Sequence, residues 1–269
     1  MSKIRNVETM TLSRRSLLRG AAAGGAAFAV GGVFAPSIGR AAGPVKIGYV
    51  TPQSGPLAAF GEADKFVIDA VSKIAGSEVQ IIARDSQSDS NKAAEAAKSL
   101  IADDGVNIMV VASTPETTNP VSSVCEVEQI PCISTVAPWQ PWYIGRQGNP
   151  GDPKSWKNFE YTYHYFWGLE DIVAVYSSMW NQIETNRIVG GLFPNDGDGN
   201  AWGDPNVGIA PGLAKAGGYK VIDPGRYHNL NDDFTAQITA FKNGNADIVT
   251  GVVIPPDFTT FWTQANQQG

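Results

Sequence analysis

The sequence predicts an α/β protein with two lobes of parallel βα units, and three observations lead to this prediction. Short apolar segments alternate with longer helical segments from Val45 onward. Residues 106–112 are apolar apart from Asn107, as expected for a strand that is covered on both faces. The alternation breaks in a Pro- and Trp-rich stretch at residues 137–161 and then resumes, which indicates a second lobe.

The first lobe contains four strand signals and three helix signals in alternation. The predicted strands are Val45–Thr51, 78–83, 106–112 and 131–136, and the predicted helices are 57–75, Ser90–Ala102 and 119–128. Ser90 or Asn91 is the expected N-cap of the Ala-rich second helix. Residues 137–161 are predicted to form a long loop, and long ordered loops tend to be functional.

The second lobe begins with a helix at residues 169–183 and continues with three strand signals. These strands are predicted at 187–193, 220–223 and 246–254, and the helices after them at 206–216, 233–243 and 257–267. We therefore divide the chain into lobes at 43–165 and 166–269. Three strands are few for a doubly wound sheet, so we expect the second lobe to be incomplete and the sequence to be cut short at its C-terminus.

The first 42 residues have the features of an export signal. Arg14 and Arg15 stand directly before an uncharged, Ala- and Gly-rich run at residues 20–39, and small residues follow at Ala41 and Ala42. The arginine pair indicates the twin-arginine route, with cleavage near Ala41/Ala42 and a periplasmic mature chain. The alternative is a membrane anchor, because the uncharged run is just long enough to span a bilayer.

The charge balance limits the partners of the mature chain. The leader carries six of the 20 basic and one of the 26 acidic residues, which leaves 14 and 25 and a formal charge of −11. Such a surface repels nucleic acid and anionic lipid, so neither is expected as a partner. We expect the protein to be a monomer.

Cys125 and Cys132 are the only cysteines of the chain. Two nearby cysteines usually form a disulfide in an oxidising compartment, and the residues between them are typical of a helix end followed by a strand start. The alternative is a pair of free buried thiols. A metal site built from cysteines alone would need more than two of them.

Hydroxyl side chains follow the predicted strands of the first lobe where each strand ends. Ser54 follows the first strand, Ser113 and Thr114 follow the third, and Thr135 closes the fourth. Open parallel sheets bind ligands outside the carboxyl ends of their strands. Hydroxyls and free backbone N–H groups at helix starts form a neutral site for a carboxylate. The alternative role of Ser113 and Thr114 is to cap the next helix.

Catalytic and metal motifs are absent from the sequence, so we predict neither an enzyme nor a cofactor. The run Asp196-Gly-Asp-Gly-Asn200 is similar to a calcium loop, but Ala201 and Val207 stand where that loop needs Gly and Glu. A turn before a helix is the expected reading, and no metal is predicted. The two histidines, His164 and His228, are far apart in sequence, and no Gly-x-Ser-x-Gly segment or Ser/His/acid set is evident.

The strand-end segments resemble those of type 1 periplasmic solute-binding proteins of ABC importers, in the branched-chain amino-acid group. The resemblance covers residues 45–269 and rests on the order and spacing of several short segments. These are Ser54-Gly55-Pro56 with Phe60-Gly61, the Asp85 segment leading into 91–104, Ser113-Thr114, Ile130-Pro131-Cys132-Ile133-Ser134, and 247–269. The resemblance implies two Rossmann-like lobes with parallel sheets, a hinge between them, and a ligand that closes the cleft.

The resemblance also implies a set of ligand-binding residues. Phe60 would pack on the ligand, and Ser113, with Thr114 beside it, would bind the ligand carboxylate. Residues 135–137 (Thr135, Val136 and Ala137) would contact both ends of an amino acid, and Trp202 would cover it. Asp257 would replace an acidic residue that pairs with the ammonium group. Phe60, Trp139 and Trp202 together would favour a ligand with a sizeable apolar or ring-bearing side chain, although each aromatic has packing as its alternative role.

We therefore expect the extracytoplasmic binding component of an ABC importer, with a small-molecule ligand and a membrane permease as its partners. The ligand is expected to be an amino acid or related carboxylate, captured by hinge closure. The first alternative is a periplasmic sensor that delivers its ligand signal to a membrane receptor. The second is an exported hydrolase, which the missing nucleophile–base set disfavours.

Overall fold

The computed structural model describes residues 43–146, 148–149 and 152–269 of the chain. The predicted export signal at residues 1–42, with its arginine pair and cleavage site, lies outside the described residues. Residues 44–269 form one unit in which parallel strands alternate with helices, as the sequence predicts. Within the described ranges, no helix has the length and apolar character that a membrane crossing requires.

The first lobe is a five-stranded parallel sheet with the strand order β2-β1-β3-β4-β5. Its strands are β1 (Val45–Thr51), β2 (Val79–Asp85), β3 (Ile108–Ala112), β4 (Cys132–Thr135) and β5 (Thr162–His164). Its helices are α1 (Asp64–Ala75), α2 (Ser90–Ala102), α3 (Pro115–Glu128) and α4 (Trp139–Ile144). Because all five strands are parallel, their carboxyl ends lie along one edge of the sheet.

Helices α2 and α3 cover one face of this sheet. Val50, Met109 and Val111 point from the strands into a core that Leu100 and Val121 complete from the helices, and all five are fully buried. The N-cap of α2 is Asp89, whose side chain accepts the backbone N–H groups of Asn91 and Lys92, so the predicted capping by Ser90 or Asn91 is wrong. The aspartate fills this role because its carboxylate reaches two free amides at the helix start.

The opposite face of the first sheet is only partly covered. Helix α1 lies beside β2, and none of its residues is buried. An open apolar groove of about 430 Å³ remains between α1 and the sheet. Its lining includes Ile47, Tyr49, Val71, Ile81 and Val110.

The described residues between 137 and 161 include regular structure, so the prediction of one long loop there is wrong. They contain α4 and a 3₁₀ turn at Pro153–Ser155, and the fifth strand β5 follows directly. Trp142 explains part of this order, because its ring stacks on His164 and its Nε1 donates to Ser122 Oγ at 3.1 Å. Trp142 therefore helps to anchor a helix and an edge strand that sequence periodicity did not reveal.

The second lobe has a three-stranded parallel sheet with the order β7-β6-β8. Its strands are β6 (Ile188–Leu192), β7 (Lys220–Ile222) and β8 (Ile248–Gly251). Its helices are α5 (Leu169–Trp180), α6 (Gly197–Trp202), α7 (Ile209–Gly217), α8 (Thr235–Asn243) and α9 (Pro255–Gln268). Two buried clusters cover the sheet, one built on Val189 and Leu213 and the other on Leu192, Phe241 and Phe261. The Phe241 ring packs directly on the backbone of Gly190, because a Cβ at Gly190 would lie only 2.7 Å from that ring.

Cys125 and Cys132 do not form the predicted disulfide in this structure. Both are free thiols, buried in the core of the first lobe at the end of α3 and the start of β4. Their side chains interact with each other, and this contact together with burial raises the pKa of the Cys125 thiol. Ser122 Oγ lies 3.9 Å from Cys132 Sγ. The two cysteines thus pack in the core as small, weakly polar side chains.

Candidate functional site

The carboxyl ends of β3 and β4 hold strained backbone. Ser113 directly follows β3 with a φ of +129°, and Val136 directly follows β4 with a φ of +80°. Residues with a Cβ rarely adopt such angles, and the cost is of the order of 1–3 kcal/mol each. Strain of this kind concentrates at functional sites, so this edge of the first sheet is the place to look for one.

The hydroxyls of Ser113 and Thr114 are buried and lack hydrogen-bond partners among the described residues. Their exposed fractions are 3% and 9%. Thr114 is the N-cap of α3, but its side chain makes no capping bond, and its carbonyl oxygen accepts from Thr117 and Thr118 instead. The alternative that these hydroxyls merely cap the helix is therefore wrong. Two donors remain free at a buried helix start, which is costly unless something else binds them.

The loop after β6 brings a second polar group to this place from the other lobe. Asp196 is the N-cap of α6, accepting from Gly199 N at 2.8 Å and from Asn229 Nδ2 at 2.7 Å. Asp198, in the first turn of α6, is 7% exposed, and its Oδ1 has no partner among the described residues. The run from Asp196 to Asn200 is thus the N-cap and first residues of a helix, and not the turn before a helix that the sequence analysis expected.

The first turns of α3 and α6 touch, and we call this contact the lobe junction; it comprises residues 113–116 and 196–198. Gly197 N donates to Glu116 Oε1 at 2.8 Å. Gly197 also packs on Pro115, because a Cβ at Gly197 would lie 2.9 Å from Pro115 Cβ. The junction therefore joins a hydroxyl-bearing helix start in the first lobe to a carboxylate-bearing loop in the second.

The pKa values of two carboxyl groups at the junction, Asp196 and Asp198, are raised, chiefly because both are buried. Burial raises the pKa of Asp198 well above its ordinary value, and Glu116 and Asp196 add to the effect. Burial also raises the pKa of Asp196; the hydrogen bond from Gly199 counters this, and Glu116 reinforces it. Glu116, Asp196 and Asp198 form no ion pair within the described residues. The ion pairs found there are Lys65–Asp69, Arg84–Asp104, Lys92–Glu95 and Arg226–Asp223. The junction is therefore acidic and uncompensated.

Tyr227 and Asp257 extend the polar edge of the second sheet. Asp257, in the first turn of α9, is buried and accepts from Leu230 N at 3.1 Å. Burial raises its pKa, and the hydrogen bond from Leu230 counters this. The Tyr227 hydroxyl is buried without a partner among the described residues, and burial, Asp257 and Asp196 raise its pKa. The predicted site residue Asp257 thus has a backbone partner, whereas Asp198 does not.

Three predicted site residues line the open apolar groove of the first sheet instead of the junction. Phe60, Thr135 and Val136 border that groove. Phe60 is exposed rather than buried in a helix, and the Thr135 hydroxyl donates to the Tyr165 carbonyl oxygen at 2.8 Å. Since neighbouring residues of a strand point to opposite faces, Thr135 and the buried Ser134 cannot serve the same side of the sheet.

Two of the remaining predicted residues, Ser54 and Ala137, have hydrogen-bond partners of their own. Ser54 Oγ donates to Asp85 Oδ2 at 2.6 Å. The Ala137 carbonyl oxygen accepts from His164 Nε2 at 2.7 Å. Trp202 is buried in the core of the second lobe with Phe193, and its Nε1 has no hydrogen-bond partner among the described residues, so its covering role stays a prediction. The structure thus brings Ser113 and Thr114 together, but places Ser54, Ala137 and Trp202 in separate environments.

Trp139 belongs to the crossing between the lobes. Its Nε1 donates to Glu170 Oε1 at 2.8 Å, and Gln140 Nε2 donates to Glu170 Oε2 at 2.5 Å. Gln140 Oε1 in turn accepts from Leu169 N at 2.9 Å, so α4 of the first lobe holds the start of α5. This cluster fixes the chain where it enters the second lobe.

Glu116 and Asp198 are the junction residues that sequence reasoning missed. Asp198 lies inside the Asp196–Asn200 run, which was considered only as a calcium loop or a turn. Glu116 lies three positions after Ser113 and two after Thr114. An acidic residue in the first turn of a helix is common, because it interacts favourably with the helix dipole, so Glu116 gave no signal of a site. Among the described residues, no group of three His, Cys, Asp or Glu side chains is placed to hold a metal ion.

Two lobes of parallel βα units with polar strand ends brought together are the architecture of type 1 solute-binding proteins. The chain belongs to the periplasmic binding protein family, which matches residues 44–269. This family consists of binding proteins rather than enzymes, in agreement with the sequence analysis. The comparison with curated proteins gives no match.

Solved structures show the same fold. The chain is similar to the leucine-binding protein LivK of Thermotoga maritima MSB8, with 18% identity, 84% of this chain and 61% of that chain covered, and a TM-score of 0.66. It is also similar to LivJ of Streptococcus pneumoniae in complex with isoleucine (19% identity, 84% and 62% covered, TM-score 0.63). A third similar structure is a solute-binding protein of Rhodopseudomonas palustris BisB5 in complex with 3,4-dihydroxybenzoic acid (19% identity, 84% of this chain and 59% of that chain covered, TM-score 0.63). The chain spans about three fifths of their length.

Proposed function

We propose that this chain is the extracytoplasmic binding component of an ABC importer and captures a small carboxylate solute, such as an amino acid, at the lobe junction. The observation that carries the proposal is the pair of buried, unpartnered hydroxyls of Ser113 and Thr114. A buried polar group without a partner costs about 1–3 kcal/mol, and a solute oxygen would remove that cost.

A carboxylate suits the first-lobe side of the junction. Ser113 and Thr114 can each donate one hydroxyl hydrogen, and the start of the 14-residue helix α3 carries a partial positive charge. No cationic side chain is needed for this, since oriented hydroxyls and backbone amides stabilise the anion. Leucine, isoleucine and dihydroxybenzoic acid, the compounds named with the similar structures, all carry a carboxyl group.

Closure of the lobes follows from the same contacts. The hydrogen bond from Gly197 N to Glu116 Oε1 and the packing of Gly197 on Pro115 join the lobes beside the free hydroxyls. A solute that also contacts the second lobe would favour this joined state over an open one by its differential affinity. The division into lobes at residues 165 and 166 is part of this proposal.

Location and partners complete the proposal. The arginine pair and small-residue exit at residues 1–42 support twin-arginine export, cleavage near Ala41/Ala42 and a periplasmic mature protein. The joined lobes would dock on a membrane permease, and the protein would act as a monomer. A disulfide between Cys125 and Cys132, whose thiols already interact, stays a prediction for the exported protein.

Ligand binding to purified protein tests the proposal. Amino acids and dihydroxybenzoic acid would be screened by thermal shift, and the tightest binder would be measured by calorimetry. Ser113→Ala and Thr114→Val should each weaken its binding about tenfold, the effect of losing one hydrogen bond to a charged group. Ser54→Ala is the matched control, because that hydroxyl lies at the same sheet edge but is bonded to Asp85. Equal losses in all three variants would contradict the proposed site.

A further inference from the structure

We propose that three residues hold the two lobes in the joined state and thereby set the affinity of the lobe junction for its solute. The three are Trp139 and Gln140 of α4 and Glu170 of α5, and we call them the clasp. This inference rests on the proposed function, in which the solute binds between the lobes. It makes Glu170 a positioning residue, because its carboxylate acts on the junction through α4.

The clasp connects the lobes by hydrogen bonds in both directions. Trp139 Nε1 donates to Glu170 Oε1 at 2.8 Å, and Gln140 Nε2 donates to Glu170 Oε2 at 2.5 Å. In return, Leu169 N donates to the buried side chain of Gln140 at 2.9 Å. Glu170 forms no ion pair within the described residues, so no cation competes for its oxygens. Both oxygens of a charged acceptor are thus used by the first lobe, and such bonds are stronger than neutral ones.

Gly168 allows α4 and α5 to approach closely enough for these bonds. A Cβ at Gly168 would lie 2.3 Å from both Trp139 Nε1 and Glu170 Oε2. The φ of Gly168 is −107°, which any residue can adopt, so the missing side chain rather than backbone freedom explains the glycine. Gly168 N also donates to Asp171 Oδ2 at 2.9 Å, which fixes the first turn of α5. The start of α5 is therefore shaped to meet α4.

Helix α4 carries the effect of the clasp to both helices of the lobe junction. On the first-lobe side, Asn119 Nδ2 of α3 donates to the Pro141 carbonyl oxygen at 3.1 Å, and Trp142 Nε1 donates to Ser122 Oγ of α3 at 3.1 Å. On the second-lobe side, α4 and α6 border a cavity of about 240 Å³, and Gly197 of the junction is among its lining residues. Helix α4 thus lies between the clasp and the two helix starts that form the junction.

The clasp acts on affinity through the population of the joined state. A solute that needs both lobes binds only that state, so its apparent Kd is the intrinsic Kd divided by the joined fraction. Opening of the lobes at the crossing, residues 165–168, would separate α5 from α4 and break the bonds of the clasp. Loss of the clasp therefore lowers the affinity for every solute by the same factor. Loss of a residue that touches the solute would instead change affinity most for the solutes that it contacts.

Removal of the Glu170 carboxylate tests the inference on the full chain. In Glu170→Ala, the radius of gyration of the unliganded protein, measured by small-angle X-ray scattering, should exceed the wild-type value. It should return to that value at saturating solute. The affinities for leucine, isoleucine and 3,4-dihydroxybenzoic acid, where the wild type binds them, should fall by one common factor of about ten in calorimetry. Glu170→Gln should show a smaller change in both measurements, because it keeps one of the two acceptor oxygens.

Two further variants complete the experiment. Glu184→Ala is the control with the same charge change, because Glu184 is exposed and follows the far end of α5. It should keep the wild-type radius of gyration and affinities. Trp139→Phe keeps an aromatic ring but loses the Nε1 donor to Glu170, so it should change both measurements in the same direction as Glu170→Ala and by less.

The outcomes separate this inference from the proposed function. An unchanged radius of gyration in Glu170→Ala overturns the inference, and so does a loss of affinity that is absent or differs between compounds. If a melting curve shows that Glu170→Ala is unfolded, Glu170→Gln and Trp139→Phe decide by the same criteria. Absence of binding by every compound to the wild type contradicts the proposed function, and the radius of gyration then still decides whether the clasp holds the lobes.

Discussion

The interior of the first lobe and the lobe junction are similarly buried, but they differ in how their polar atoms are paired. The interior is filled by side chains such as Val50, Leu100 and Met109, which need no polar partner. The junction buries Ser113 and Asp198, each with a polar atom that no described residue satisfies. The interior thus needs no further partner, whereas the buried polar atoms of the junction need a partner that no described residue supplies. Changes in the first region should cost stability, and changes in the second should cost binding.

The largest expected effect is loss of stability on Leu100→Ala. Leu100 is fully buried between α2 and the first sheet, so its truncation removes apolar contacts and leaves a cavity. The free energy of unfolding should fall by about 3 kcal/mol, measured by denaturant titration. Ile74→Ala is the control, because Ile74 on α1 is 86% exposed and its truncation should change stability by about 0.5 kcal/mol or less. Equal losses in the two variants would mean that the face with α2 is not the core.

Asp198→Asn should have the opposite effect, a gain in the stability of the unliganded protein. The asparagine replaces a carboxyl group whose charged form burial disfavours and whose Oδ1 has no partner among the described residues. The free energy of unfolding of the unliganded protein should rise by about 1 kcal/mol at neutral pH. A loss of stability would show that Asp198 supports the fold, and the contrast between interior and junction would fail.

The pH dependence of that gain sharpens the prediction. Because the pKa of Asp198 is raised in the folded protein, the folded state holds the proton more tightly than the unfolded chain. The carboxyl therefore imposes no penalty below its ordinary pKa, and the penalty grows as pH rises through the raised value. The stabilisation by Asp198→Asn should be near zero at about pH 4 and greatest at neutral pH. Carboxylates with lowered pKa values, such as Asp85 and Glu126, titrate alike in both proteins and cancel in the difference.

The sequence predicted the parts of the fold that depend on periodicity. The strand at 106–112 was recognised because nearly all of its residues are apolar, and α2 because its segment is rich in alanine. Helix α4 and strand β5 escaped prediction because they are short and rich in Pro, Trp and Tyr. Their order comes from contacts such as the Trp142 ring on His164, which are distant in sequence. Tertiary packing of this kind leaves no periodic signal.

The position of the site could be predicted from the sequence, but not all of the residues that form it. Parallel strands imply that Ser113 and Thr114 lie at a ligand-binding edge, and the structure leaves their hydroxyls free there. The side chains that complete the junction depend on which loop of the other lobe arrives at α3. That information lies in the packing of Gly197 on Pro115, which no local pattern encodes.

The smallest expected effect tests whether the junction also stores backbone strain. Ser113 has a φ of +129°, an angle that glycine adopts freely and serine does not. Ser113→Gly should relieve strain of about 1 kcal/mol or more, partly offset by the greater freedom of glycine in the unfolded chain. A net gain of about 0.5 kcal/mol is expected in denaturant titration. Ser113→Ala keeps the Cβ and removes the same hydroxyl, so the difference between the two variants isolates the backbone contribution. If Ser113→Ala is the more stable of the two variants, the positive φ at this position does not lower the free energy of unfolding. Only the unpaired hydroxyl would then distinguish Ser113 from the residues of the interior.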